Sequence, residues 1–105
     1  MGMLKRNDNG EAAAAFYDKR RKWRELLVEH PDVGHATFRV GYWLSMKMNG
    51  EDQCTWWSVK RIAEHLRVST RTVSDATAEL ERLGLMLVVR ESGKRNTYFI
   101  RSPLD

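Results

Sequence analysis

The chain has 105 residues, enough for one domain with a modest hydrophobic core. With 42% hydrophobic and 30% charged residues it is too apolar for a disordered polyelectrolyte. The net charge of +4 favours a polyanionic partner, but only mildly.

The first element is helical and runs from about Gly10 to His30, with Asp8 or Asn9 as its cap. Ala12, Phe16, Trp23, Leu26 and Leu27 fall near one face, while Asp18, Arg21, Lys22, Arg24 and Glu25 mark the other. The basic run Lys19–Lys22 with Arg24 is balanced by Asp18, Glu25 and Glu29, so it reads as a solvated face. Residues 1–30 form an extension helix in this reading. Phe16 and Trp23 would anchor a homodimer contact. His30-Pro31 ends the helix, because the residue before proline avoids the α region.

Residues 31–105 make up the main domain. A second helix is expected from about Val33 to Met48, capped by Asp32, or starting at His35 if Gly34 breaks its first turn. Thr37, Val40, Gly41, Leu44 and Met48 form its buried face, widened by Phe38, Tyr42 and Trp43. Asn49-Gly50 ends it, with glycine as a left-handed cap. Cys54–Trp56 reads as a short strand, with one of Trp56 and Trp57 in the core and the other partly exposed. Ser58 caps a short helix to Leu66 with the stripe Val59, Ile62, Ala63 and Leu66. Arg67 and Val68 form a turn. Ser69 caps a further helix to Leu83, which buries Val73, Ala76 or Thr77, Leu80 and Leu83. Gly84 stops it. Two β-type runs, Leu85–Arg90 and Asn96–Ile100, flank the charged turn Glu91–Arg95 and read as a hairpin.

A helix pair with so short a turn has a physical use. The first helix braces the second, whose N-terminus can enter the major groove of DNA. Unpaired amides and the helix dipole favour phosphate there. The candidate contacts at that end are Ser69, Thr70, Arg71, Thr72, Ser74 and Asp75. Arg71 can reach a guanine edge or a phosphate. Ser58, Lys60 and Arg61 start the bracing helix within reach of the backbone. Lys94 and Arg95 at the hairpin tip, with Arg90 and Asn96 on its shoulders, form a second contact element.

The stretch IAEHLRVSTRTVSDATAELERLGL resembles the helix-turn-helix and wing entry of bacterial winged-helix regulators. It is also similar to winged-helix domains of plasmid and phage replication initiators. Ala63, Leu66, Val68 and the pair Thr72-Val73 match the family's apolar and recognition positions. Ala78-Glu79-Leu80-Glu81-Arg82-Leu83-Gly84-Leu85 matches its run before the wing. The resemblance spans roughly Val33 to Ile100. Arg67 departs from it, standing where glycine is common. A left-handed conformation there costs a non-glycine residue of order 1 kcal/mol.

The resemblance implies a mainly α fold with a small β-hairpin wing (α+β), a winged helix-turn-helix with an extra N-terminal helix. It implies binding of double-stranded DNA, as a transcriptional regulator. Alternatives are an accessory or initiator-like protein of a mobile element, and a winged-helix adaptor that binds protein. No cofactor, metal or membrane partner is expected. Cys54 is the single cysteine and reads as a small buried residue. No Cys/His spacing suggests zinc. His30, His35 and His65 pair with no nucleophile or acid at useful spacing, so an enzyme is not expected. MGMLKRNDNG lacks a signal-peptide core, and no apolar run approaches roughly 18 residues. A cytoplasmic location follows as an expectation.

Overall fold

The computed structural model describes residues 2–93 and 95–103, with residues 2–9 described by their backbone alone. The elements run α1 (Gly2–Glu29), α2 (His35–Met46), β1 (Thr55–Trp57), α3 (Val59–Leu66), α4 (Thr70–Arg82), β2 (Met86–Val89) and β3 (Asn96–Ile100). The fold is α+β: helices around one core, closed by a small antiparallel sheet of order β1-β3-β2.

The first helix begins at Gly2, so the expected cap positions Asp8 and Asn9 lie inside it. Phe16, Trp23 and Leu27 are buried along one stripe. Trp23 Nε1 donates a hydrogen bond of 2.7 Å to the carbonyl of Leu85, at the entry to β2. This corrects the expected homodimer anchors. Phe16 and Trp23 are covered by their own chain, 4% and 3% exposed, and have no free surface to offer a second copy. Ala12, expected on the buried stripe, is exposed.

The second helix starts at His35. Its cap is Gly34, in extended conformation and without a side-chain hydrogen bond, so Asp32 does not cap it. Gly41 is the point where three helices meet. A Cβ there would lie 3.1 Å from Leu80 Cδ1 and 3.4 Å from Trp23 Cη2. The helix ends at Met46, and Lys47 follows in right-handed conformation. Gly50 is therefore not a left-handed cap; Gln53 carries the positive φ of this loop. Glycine is needed at 50 for another reason. A Cβ would sit 2.6 Å from Ala13 Cβ on α1, and the Gly50 amide donates to Tyr17 Oη at 3.0 Å.

The strands alternate as period two requires. Thr55, Met86, Val88, Tyr98 and Ile100 face the core, while Trp56, Leu87 and Val89 point outward. β1 is one residue later than expected, and pairs Trp56 with Thr97. β2 pairs Leu87 with Phe99 and Val89 with Thr97. Trp57 is half-buried and Trp56 exposed. Cys54 is buried, and that burial pushes its thiol pKa up, with Asp52 adding to the effect.

Candidate nucleic-acid interface

Two serine caps set the geometry of the helix pair. Ser58 Oγ accepts from the Arg61 amide at 3.2 Å and starts α3. Ser69 Oγ accepts from the Thr72 amide at 3.0 Å and starts α4. Between them Arg67 takes φ 58° and ψ 46°, the left-handed conformation that closes the turn. Its amide and that of Val68 both point back to the Ala63 carbonyl. Ile62, Ala63 and Leu66 of α3 are buried, as are Val73, Ala76, Thr77 and Leu80 of α4. That apolar contact holds α4 by its rear face.

The front face of α4 is left open. Ser69, Thr70, Arg71, Ser74 and Asp75 are all exposed around its N-terminal turns. Thr72 is half-buried, and its hydroxyl is 2.9 Å from that of Ser69, so it serves the cap. Arg71 Nε lies 3.8 Å from Asp75 Oδ2, with side chains 90% and 75% exposed. A pair so exposed is worth little in water. Asp75 therefore does not hold the arginine back from a better acceptor.

The bracing helix brings Lys60 and Arg61 to the surface. Arg61 is 4.0 Å from Glu64, a weak contact. Beside this helix start lies an aromatic cluster that no single segment of sequence announces. The Trp43 and Trp57 ring centroids are 5.0 Å apart, and His65 is 5.5 Å from Trp43 and 5.3 Å from Trp57. Lys47 Nζ stands 5.1 Å over Trp43 and 6.0 Å over Trp57. The cluster draws on α2, β1 and α3, which explains why periodicity within one element could not reveal it.

The hairpin contributes less free charge than its sequence suggests. Arg90 makes a forked pair with Glu81 near the C-terminal end of α4, with bonds of 3.1 and 2.7 Å. Glu81 holds the Arg90 guanidinium in its charged form. Arg90 thus ties the wing to the helix. Asn96 is half-buried and donates to Tyr98 Oη at 3.2 Å. Arg95 is exposed beside the turn, where Gly93 has φ 73°. Lys94 lies outside the described residues.

Residues 35–86 match the family model described as a helix-turn-helix domain. This stretch of the chain is a helix-turn-helix domain. The match covers α2, β1, α3 and α4 and ends at the start of β2, so the domain contains both serine caps and the Arg67 turn. The family suggests DNA binding. No curated protein matches the chain. Among the described residues no group of three or more His, Cys, Asp or Glu side chains could hold a metal ion. No described helix is long and apolar enough to cross a membrane.

Proposed function

We propose that the chain binds double-stranded DNA sequence-specifically and acts as a transcriptional regulator. The reading is carried by the exposed N-terminal turns of α4 within the helix-turn-helix domain. Arg71, Ser74 and Asp75 face the bases of the major groove in this reading. Ser69 and Thr70 meet a phosphate beside the helix N-terminus. Ser58, Lys60 and Arg61 meet the neighbouring backbone. Lys94 and Arg95 lie over the next stretch of duplex. Arg90, Asn96 and Thr72 support the interface from behind.

Fluorescence anisotropy on genomic fragments tests the reading. Arg71→Ala is expected to lose about 1–3 kcal/mol of discrimination between the preferred and a mismatched site. Arg95→Ala is expected to weaken all sequences alike and to flatten the salt slope by about one. Unchanged binding in both variants would refute the assignment.

A second reading, a protein-binding adaptor, has one observation in its favour. The outer sheet face presents Trp56, Leu87 and Val89, each more than 40% exposed. Binding to a protein that is insensitive to salt, with no DNA affinity at low salt, would select it. An accessory or initiator-like role in a mobile element would use the same DNA interface, and genome neighbourhood separates it from a regulator. A homodimer, if formed on DNA, must use a surface other than Phe16 and Trp23; sedimentation with and without DNA tests for it.

A further inference from the structure

Among the lysines and arginines whose burial is described, all are exposed except Arg20 and Arg24. These two lie one turn apart on α1 and face the groove between α1 and the end of α2. Arg24 therefore does not belong to the solvated face that helical periodicity assigns it. Both side chains are already fixed. Arg20 Nη1 donates to the carbonyls of Met48 at 2.9 Å and Ser45 at 3.4 Å. Its guanidinium lies 4.8 Å over the Tyr17 ring. Arg24 Nε donates to Ser45 Oγ at 3.0 Å, and its guanidinium lies 4.7 Å over the Tyr42 ring.

What these arginines lack is a carboxylate at ion-pair distance. Arg21, Lys22, Arg61, Arg71, Arg82 and Arg90 are exposed, where water suffices, yet each has a carboxylate within 4.0 Å. Arg20 and Arg24 are the ones partly withdrawn from water, and neither has a carboxylate that close among the described residues. Burial, and secondarily the charge of Arg20, lowers the pKa of Arg24. Two like charges share an open groove of about 490 Å³, which Glu25 and Glu29 also line without pairing with either arginine. Both terminal nitrogens of Arg24 and one of Arg20 remain as donors, in the planar forks that suit oxyanions.

The geometry points to a binding site for a small phosphate-bearing anion between Arg20 and Arg24. Pre-fixed guanidinium groups bind such a ligand without further loss of side-chain freedom. The ligand is compact rather than a nucleic-acid strand. Glu25 and Glu29 line the same groove and would repel the next phosphate of a continuous polyanion. The site is separate from the α4 interface and does not rest on the DNA-binding reading.

Inorganic phosphate is the probe, titrated at constant ionic strength against chloride. The thermal midpoint of the full chain is expected to rise saturably with phosphate and not with chloride. Arg24→Gln is expected to weaken phosphate binding by roughly tenfold or more. Should that variant fail to fold, nitrogen-15 NMR of the arginine side chains in the unaltered protein decides. Phosphate should then move the Arg20 and Arg24 signals and leave those of Arg39 and Arg101 in place. No saturable rise, an equal rise in Arg24→Gln, or shifts at all arginines alike would overturn the site. A reduced DNA salt slope in Arg24→Gln, with no response to inorganic phosphate, would also overturn it and place Arg24 in the DNA interface.

Discussion

Arg67 shows how one residue sets the angle between two helices. Its left-handed backbone closes the turn, yet its Cβ crowds the carbonyl there at a cost of about 1–2 kcal/mol. Glycine relieves that strain but frees the unfolded chain by about 0.4–1 kcal/mol in the opposite sense. Arg67→Gly is therefore expected to stabilise the fold by no more than about 1.6 kcal/mol. Urea unfolding should show a higher midpoint with an unchanged slope. This turn was legible in the sequence because Leu66 and Val68 bracket it and a serine caps each helix. Arg24 was not legible. A period of 3.6 places it among charged residues, but Tyr42 and Ser45 of another helix come to lie over it. Phe16 and Trp23 show the same limit. An apolar stripe announces that a face will be covered, and only the packing says by which chain.

At the scale of elements, an ion pair across nine residues of sequence, Arg90 to Glu81, joins the wing to α4 in addition to their shared core. The carboxylate is 30% exposed and the guanidinium 53%, so the clamp is half in water. Glu81→Gln removes its charge. Backbone amides of β2 and β3 are then expected to exchange faster, with little change in global stability. Hydrogen exchange at Val89 and Thr97 checks this, and unaltered protection there would mean that the strands hold the hairpin unaided. The hairpin itself was readable from alternation and from the Gly93 turn. The partner of Arg90 was not, since it lies on a different element. The start of α1 differs from the sequence expectation for a local reason: Asp8-Asn9-Gly10 looks like a boundary, but the hydrogen-bonded ladder of an established helix carries through such residues.

For the whole molecule, the buried acids set the response to alkali. Burial pushes Cys54 above its ordinary value of 9.0. It pushes Tyr98 above 10.0, by more than the Asn96 hydrogen bond draws it down. Both groups hold their protons more tightly folded than unfolded. Their contribution is complete below the ordinary values and is lost as pH rises through the shifted ones. Stability is expected to be flat in this respect near neutrality and to decline above about pH 9. Denaturant midpoints across a pH series test this, and Tyr98→Phe should make the decline above pH 10 shallower.

The bond from Trp23 to the Leu85 carbonyl spans 62 residues. During synthesis α1 leaves the ribosome well before the backbone that receives its indole. The helix-turn-helix segment between them can assemble from local contacts while Trp23 waits. Loop closure of that length is slow compared with helix formation. Though made before the helix pair, α1 is thus among the last of these elements to dock, and until it does, Phe16, Trp23 and Leu27 stand open to whatever chaperone or neighbouring chain is nearby.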